Sequence, residues 1–224
     1  MQFRLGELFC GPGGLGLGAS QASVENNGKK YSIKHIWAND SDKDSCNTYK
    51  QNIDTVSVIR RDIRKVNFSE LADIDALGFG FPCNDFSLVG EQKGMDGVYG
   101  PLYSYGIKAL KHFKPKWFFA ENVSGLISAN DGHAFQTILE EMQGAGYTIT
   151  PHLYRFEEYG VPQARHRIII IGVRSDLPVK FKVPAPYSTP FLTSRQALEE
   201  PPISLTALNN ERTKHSKQVI ERFH

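Results

Sequence analysis

The sequence has few cysteines, no paired metal ligands and no long hydrophobic run. Its three cysteines, Cys10, Cys46 and Cys83, form no CxxC pair, and the seven histidines show no ligand spacing. This argues against a disulfide framework and against a metal site. No stretch of about 18 apolar residues occurs, and the first residues (MQFR) lack the apolar segment of a secretory signal. We therefore expect a soluble, cytoplasmic protein with no membrane partner.

The chain also has almost no excess of positive over negative charge, because its formal net charge is +2. A balance of this kind neither indicates nor excludes a protein that binds nucleic acid. Hydrophobic residues make up 40% and charged residues 22% of the 224 residues, which is a globular composition that argues against disorder. The length suits one large domain, or one domain and the beginning of another.

Apolar strand-like runs alternate with helix-like segments along most of the chain. Predicted strands are 3–9, 33–38, 55–59, 74–81, 117–120 and 168–173. A predicted helix follows the first strand to about Asn26, and further helices are expected at 42–51, 103–113 and 135–142. This order predicts an α/β fold with a doubly wound, mostly parallel sheet, whose ligands bind beyond the carboxyl ends of the strands. The run IIIIGV at 168–173 is apolar on both faces, as expected for a central strand.

The composition changes after Asp176, where six prolines break any long element. We therefore divide the chain into a first domain, 1–176, and a proline-rich region, 177–224.

The loop Gly11-Pro12-Gly13-Gly14 follows the first strand and opens a helix with GxGxxG spacing. Such a loop lets main-chain amides approach a nucleotide, and Asp40 at the end of the next strand could bind ribose hydroxyls. The same pattern also arises as a simple tight turn. It does not separate a nicotinamide cofactor from S-adenosylmethionine.

Two further clusters follow predicted strands. Cys83 comes directly after Phe81-Pro82, where the following loop could present the thiol to a substrate, whereas Cys10 and Cys46 fit small buried residues. Glu121-Asn122-Val123 follows the fifth predicted strand. Its carboxylate could pair with a cation, or could act as an acid whose pKa is raised by partial burial.

Arg165 and Arg167 lead into the IIIIGV strand and are two residues apart, so an extended chain points both to the same side. Guanidinium groups that enter a buried strand need carboxylates, phosphates or a substrate oxygen as partners. An ion pair with Glu121 or with another acid is the structural interpretation of this pair.

Together, and in this order, the four clusters resemble the DNA (cytosine-5)-methyltransferase family. The loop Phe9 to Gly14 is similar to the family's cofactor loop, and Gly80-Phe81-Pro82-Cys83 is similar to its nucleophile motif. Glu121-Asn122-Val123 and the segment from Gln163 to Arg167 are similar to its acid and arginine motifs. The resemblance implies the Rossmann-like fold of S-adenosylmethionine-dependent methyltransferases, double-stranded DNA as substrate and S-adenosylmethionine as cofactor.

The resemblance also implies roles for individual residues. Cys83 would add to C6 of a flipped cytosine, Glu121 would protonate or hydrogen-bond N3, and Arg165 with Arg167 would hold O2 and the acid. The remaining implied residues contact the cofactor or line the substrate pocket. The cofactor residues are Phe9, Gly11, Gly13, Gly14, Asp40, Asp62, Ile63 and Pro82, and the pocket residues are Phe81, Pro82, Asn122 and Val123.

Members of this family carry a target-recognition domain and final motifs beyond the arginine motif. Residues 177–224 resemble only the beginning of that region, so we expect a truncated chain, one part of a split enzyme completed by a second polypeptide, or an inactive remnant. We also expect weak DNA binding and poor methylation by the chain alone. A tRNA cytosine-5 methyltransferase and an NAD-dependent oxidoreductase are the alternative functions.

Overall fold

The computed structural model describes residues 1–82, 102–187, 190–204, 206, 207 and 216. Cys83 of the predicted nucleophile motif therefore lies outside the described residues. The strands are β1 (Gln2–Leu8), β2 (Ser23–Asn26), β3 (Lys29–Asp40), β4 (Thr55–Arg60), β5 (Ala76–Gly80), β6 (Trp117–Val123), β7 (Tyr147–Arg155) and β8 (His166–Arg174). The helices are α1 (Gly14–Gln21), α2 (Lys43–Asn52), α3 (Tyr103–Phe113), α4 (His133–Gly144) and α5 (Ser194–Glu199).

The chain divides into two compact units. The first contains residues 1–154 and 166–185, and the second contains residues 155–165 and 186–224. This grouping differs from the predicted division at Asp176, because the segment 155–165 joins the second unit. The predicted assignment of domains to functions stays a prediction.

The first unit is built on one mixed sheet. Its strand order is β2-β3-β1-β5-β6-β8-β7, and β4 pairs with β3. The pairs of β1 with β3 and β5, of β3 with β4 and of β5 with β6 are parallel, whereas β6 and β8 are antiparallel. The predicted α/β class with a mostly parallel sheet is confirmed, and the IIIIGV run forms the interior strand β8.

The helices α3 and α4 each present an apolar face to the core of the first unit. In α3 the buried residues include Ile107 and Leu110, and in α4 they include Ile138 and Met142. These side chains join the buried aromatic and aliphatic residues of the sheet in one core. Burial of each such side chain contributes about 1.5–3 kcal/mol to folding, which fixes the strands that carry the site.

The carboxyl ends of four parallel strands meet at one edge of this sheet. β1 ends before the glycine loop, β3 ends at Asp40, and β5 ends at Gly80, directly before Phe81-Pro82. β6 ends at Val123, which lies opposite Arg167 of the antiparallel β8. The fold therefore brings the described parts of the four sequence clusters in this unit to one edge, as the sequence predicts.

Two predictions of secondary structure in the first unit are wrong. The first helix ends at Gln21 and not near Asn26, because Ser23–Asn26 form β2, which pairs antiparallel with β3. Asn27 and Gly28 connect the two strands with φ values of 50° and 70°. An Asn-Gly pair adopts such angles easily and is a strong signal for a β-hairpin.

The acid motif also lies differently from the prediction. Glu121 and Asn122 belong to β6 and do not follow it, because β8 continues the antiparallel ladder beyond the apolar residues. The strand β7 is missing from the sequence-based prediction. Among the described residues, no helix is long and apolar enough to cross a lipid bilayer.

Candidate active site

The glycine loop turns sharply between β1 and α1. Gly11 and Gly13 have φ values of 52° and 103°, which favour glycine because it has no Cβ. A methyl group on Gly11 or Gly14 would meet no described atom within 4 Å, so there is open space beside both residues. A nucleotide-type cofactor fits such a loop, since main-chain groups can approach the ligand closely.

Asp40 holds this loop in place. Its Oδ2 accepts a hydrogen bond from the main-chain N–H of Gly11 (2.8 Å), and its Oδ1 accepts one from that of Asp42 (2.9 Å). The main-chain N–H of Cys10 donates to the carbonyl of Asn39 (3.0 Å), which ties the loop to the end of β3. Asp40 therefore orders the loop, and its predicted contact with the ribose stays a prediction.

Three other residues predicted to bind the cofactor have contacts of their own. Asp62 forms an ion pair with Arg64, and the hydrogen bonds from Arg64 lower the pKa of Asp62 to about 2. Ile63 is buried in the core, and Phe9, with a φ of 54°, packs against that core. The contacts of Asp62, Ile63 and Phe9 with a cofactor stay predictions.

Asn122 fixes the chain just before Cys83. Its Nδ2 donates to the main-chain carbonyl of Phe81 (3.2 Å), and its Oδ1 accepts from the main-chain N–H of Val123 (2.8 Å). The Phe81 side chain is buried against Phe79 and Tyr103. A buried amide with these partners holds the end of β5 against β6.

Glu121 and Arg167 form an ion pair at the same edge. Arg167 Nε lies 2.9 Å from Glu121 Oε1, and the two side chains are 22% and 29% exposed. A methyl group on Gly80 would lie 3.3 Å from Glu121 Oε2, so the carboxylate stands beside the last residue of β5. The predicted ion pair is therefore present, and it leaves the carboxylate partly exposed to a ligand.

Arg165 belongs to the second unit, whereas Arg167 belongs to the first. Within the second unit, the carbonyl of Arg165 accepts from the main-chain N–H of Phe156 (3.0 Å), and its own N–H donates to Glu157 Oε2 (3.4 Å). The predicted contact of its guanidinium with a substrate stays a prediction.

Cys10 and Cys46 are both buried, and burial raises the pKa of each thiol. A thiol in this state is a poor nucleophile, because the thiolate is the reactive form. Their assignment as structural residues is consistent with these surroundings. Of the three cysteines, only Cys83 is left as a candidate nucleophile.

A buried polar cluster that was not predicted from the sequence lies below the glycine loop. It contains Glu7 of β1, His35 of β3 and Tyr49 of α2. The Tyr49 hydroxyl donates to Glu7 Oε2 (2.8 Å) and lies 3.1 Å from His35 Nδ1. A charged residue inside the apolar strand LGELF is the sequence signal that could have indicated this cluster.

Replacement of Glu7 with glutamine should change how stability depends on pH. Burial raises the pKa of Glu7 from 4.5 to about 8, the charge of Asp40 adds to this effect, and the Tyr49 hydrogen bond opposes it. The folded chain therefore binds the proton more tightly than the unfolded chain, and stability is lost as pH rises from 4.5 to about 8. We expect Glu7→Gln to gain stability relative to the parent over this range.

Chemical unfolding of both chains at a series of pH values measures this difference. An Asp44→Asn chain is the control, because Asp44 is an exposed acid in the first turn of α2. A stability difference between parent and Glu7→Gln that stays constant from pH 5 to 8 would show that Glu7 is not held as a neutral acid.

Known proteins match this chain along most of its length. The profile of the C-5 cytosine-specific DNA methylase family matches residues 3–224. The type II methyltransferase M.BbvI of Brevibacillus brevis is 51% identical over 99% of this chain, and M.NgoFVII of Neisseria gonorrhoeae is 37% identical over 95%. The chain spans 62% and 56% of the lengths of these two relatives.

Solved structures show the same fold. The Dnmt2 methyltransferase of S. pombe aligns with a TM-score of 0.59 at 16% identity, covering 94% of this chain and 59% of that one. A DNMT2 mutant of Spodoptera frugiperda aligns with a TM-score of 0.60 at 19% identity, covering 95% and 61%. The fold is thus the Rossmann-like fold of methyltransferases. With a family profile that matches residues 3–224, the chain belongs to the C-5 cytosine-specific DNA methylase family.

Proposed function

We propose that this chain carries the catalytic part of an enzyme that transfers a methyl group from S-adenosylmethionine to C5 of cytosine in DNA. The observation that best supports this is the Glu121–Arg167 pair, which stands beside Gly80 at the edge where β5 leads to Cys83. An acid and a cysteine are the two side chains that this reaction needs. An oxidoreductase would leave both without a role.

The chemistry begins with activation of the cytosine ring, because C5 of cytosine is a poor nucleophile. The Cys83 thiolate forms a bond to C6, and Glu121 donates a proton or a hydrogen bond to N3, which makes C5 nucleophilic. Bound S-adenosylmethionine supplies the methyl group from its sulfonium. A base then removes the C5 proton, the bond from Cys83 to C6 breaks, and any proton on N3 returns to Glu121. The products are 5-methylcytosine and S-adenosylhomocysteine, and the thiolate is free again.

Arg167 orients the acid in this scheme. Its Nε forms an ion pair with one carboxylate oxygen of Glu121, and its Nη1 donates a hydrogen bond to the carbonyl of His166 (2.8 Å). The guanidinium is thereby fixed on both sides. Arg165 has the role of binding the cytosine O2, as the family resemblance implies.

The cofactor occupies the glycine loop in this proposal. Gly11, Gly13 and Gly14 contact it through their main chain, and Asp40 accepts hydrogen bonds from the ribose while it holds Gly11. Asp62, Ile63 and Phe9 complete the site with Pro82. The open space beside Gly11 and Gly14 supports this assignment.

Double-stranded DNA is the proposed partner. C5 and C6 of a stacked cytosine are not accessible to a thiol, so the target base must leave the helix. Because the chain spans about 60% of its relatives' lengths, we assign the groove contacts that select a sequence to additional polypeptide, on the same or a second chain. Both of these relatives are bacterial proteins, and we accordingly place the enzyme in the cytoplasm of a prokaryotic cell.

A chimera tests this function, with the present chain in place of the matched 62% of M.BbvI. We expect the chimera to transfer tritiated methyl groups to duplex DNA and to yield 5-methylcytosine on nuclease digestion. Methylation of tRNA in place of DNA would change the assigned substrate. Calorimetric titration of the 224-residue chain should show binding of S-adenosylhomocysteine, and tight binding of NAD alone would contradict the proposal.

A further inference from the structure

The Glu7, His35 and Tyr49 cluster lies directly below the glycine loop, and the proposed reaction uses none of its three side chains. Glu7 is 3%, His35 2% and Tyr49 0% exposed, so no ligand can reach them. Buried polar side chains are costly unless they are hydrogen-bonded, and here the Tyr49 hydroxyl contacts both Glu7 and His35, whereas His35 Nε2 has no hydrogen-bond partner among the described residues. Packing alone does not explain why three polar side chains lie between α2 and the largely apolar strands β1 and β3.

Gly13 of the loop and Gly16 of α1 both pack against the Tyr49 side chain. A methyl group on Gly13 would lie 3.1 Å from Tyr49 Cδ2, and one on Gly16 would lie 2.8 Å from the Tyr49 hydroxyl oxygen. Gly13 has a φ of 103° and immediately precedes α1. The ring therefore lies against both the turn of the loop and the first turn of the helix.

The hydroxyl of Tyr49 is held from two strands. It has one proton, so it donates to one neighbour and accepts from the other, and Glu7 and His35 supply these two contacts. β1 and β3 are adjacent and parallel, which fixes the spacing of the two partners. The position of the Tyr49 ring is thus set by the sheet and not by α2 alone.

The charged and titratable groups around the cluster favour its neutral form. Burial raises the pKa of Tyr49, and the charge of Glu7 raises it further. Burial also lowers the pKa of His35, although the main chain of Gly16 opposes this effect. On the loop side, the charge of Asp40 raises the pKa of Glu7, and that of Cys10 raises the pKa of Tyr49.

We propose that Tyr49 is a positioning residue for the cofactor: the hydrogen bonds of its hydroxyl with Glu7 and His35 fix its ring against Gly13 and Gly16, and the ring thereby holds the loop in its ligand-binding shape. This inference rests on the proposed function, because it assigns the loop to S-adenosylmethionine. Tyr49 does not touch the cofactor. It acts through the conformation of the loop, so its loss weakens binding by allowing other loop conformations.

The test compares Tyr49→Phe and Tyr147→Phe in the 224-residue chain. Tyr147 is a matched control, because it is buried in the same unit and its hydroxyl donates to the carbonyl of Pro115 (2.9 Å). Tyr49→Phe loses the contacts of its hydroxyl with Glu7 and His35, Tyr147→Phe loses its hydrogen bond to Pro115, and each variant keeps the ring. We expect both to lower the melting temperature, whereas only Tyr49→Phe raises the Kd for S-adenosylhomocysteine, by about tenfold.

Amide hydrogen exchange of Gly11 to Gly16 provides a second readout that needs no ligand. Tyr49→Phe should accelerate exchange in this segment, and Tyr147→Phe should not. Glu7→Gln keeps an oxygen that accepts from Tyr49 and should bind like the parent, whereas Glu7→Leu should behave like Tyr49→Phe.

The outcomes separate this inference from the proposed function. If Tyr49→Phe melts earlier but keeps the parent Kd and the parent exchange rates, Tyr49 is a structural residue only and the inference is wrong. If the parent chain itself binds no S-adenosylhomocysteine, the proposed function fails first. Equal effects of Tyr49→Phe and Tyr147→Phe on Kd would also overturn the inference, because they would show general destabilisation.

Discussion

Replacement of Cys83 with alanine should lower methyl transfer by the chimera at least about a thousandfold, because loss of the nucleophile in covalent enzymes costs this much or more. Without a thiolate that adds to C6, C5 stays part of an aromatic ring and does not attack the methyl group. Binding of S-adenosylhomocysteine should stay close to the parent value. Initial rates with tritiated S-adenosylmethionine and a calorimetric Kd measure the two effects.

Cys46→Ala is the matched control for this variant. Cys46 is buried in α2, and its thiol is held in the neutral form by burial. We expect the Cys46→Ala chimera to keep its turnover after correction for the folded fraction. Comparable rates for Cys83→Ala and the parent would exclude the covalent scheme.

Replacement of Glu121 with glutamine should reduce turnover by about 10²–10⁴-fold, which is the usual contribution of a general acid. The amide can still accept a hydrogen bond from Arg167, but it has no acidic proton to give to N3. The side chain is similar in size, and the ion pair is partly exposed, so the free energy of unfolding should change little. Single-turnover rates and thermal melts measure the two quantities.

Asp75→Asn provides the comparison. Asp75 pairs with Arg4 and Lys116 and therefore loses ion pairs as Glu121→Gln does, but it precedes β5 and lies away from the proposed catalytic residues. Turnover should fall in Glu121→Gln and not in Asp75→Asn. If Glu121→Gln loses activity only in proportion to its loss of folded protein, the carboxylate is a structural partner of Arg167 and not an acid.

The sequence is sufficient to predict the shape of the first unit because its apolar runs are strongly patterned. Strands that alternate with helices are parallel, and parallel strands bring their carboxyl ends to one edge. The described parts of the glycine loop, Asp40, Pro82 and the acid motif could therefore be placed together before any coordinates. Their common location depends on connectivity and not on side-chain detail.

Other elements could not be predicted because their signals are weak or distant. β7 alternates irregularly in burial and contains no purely apolar run. The sequence signal for the hairpin of β2 and β3 is Asn27-Gly28. The residues before it were interpreted as a helix, so this signal was not used. Helix propensity in a short polar segment is a weak guide when an edge of a sheet is available for pairing.

The polar cluster below the loop shows a second limit. Glu7 and Tyr49 are 42 residues apart and Tyr49 and His35 are 14 apart, so only the packing of α2 against the sheet brings them together. The Glu121–Arg167 pair was easier to anticipate, because two guanidinium groups entering a buried strand require acids. Motifs therefore indicate the reacting groups better than the residues that position them.

The covalent step is tested most directly with duplex DNA in which the target cytosine is replaced by 5-fluorocytosine. Fluorine at C5 cannot leave as a proton does, so the thiol stays bonded to C6 after methyl transfer. With S-adenosylmethionine present, we predict a denaturant-resistant complex of chimera and DNA whose linked peptide contains Cys83, and no complex with Cys83→Ala. Methylation of ordinary DNA without any such complex, or a link through another residue, would contradict the account.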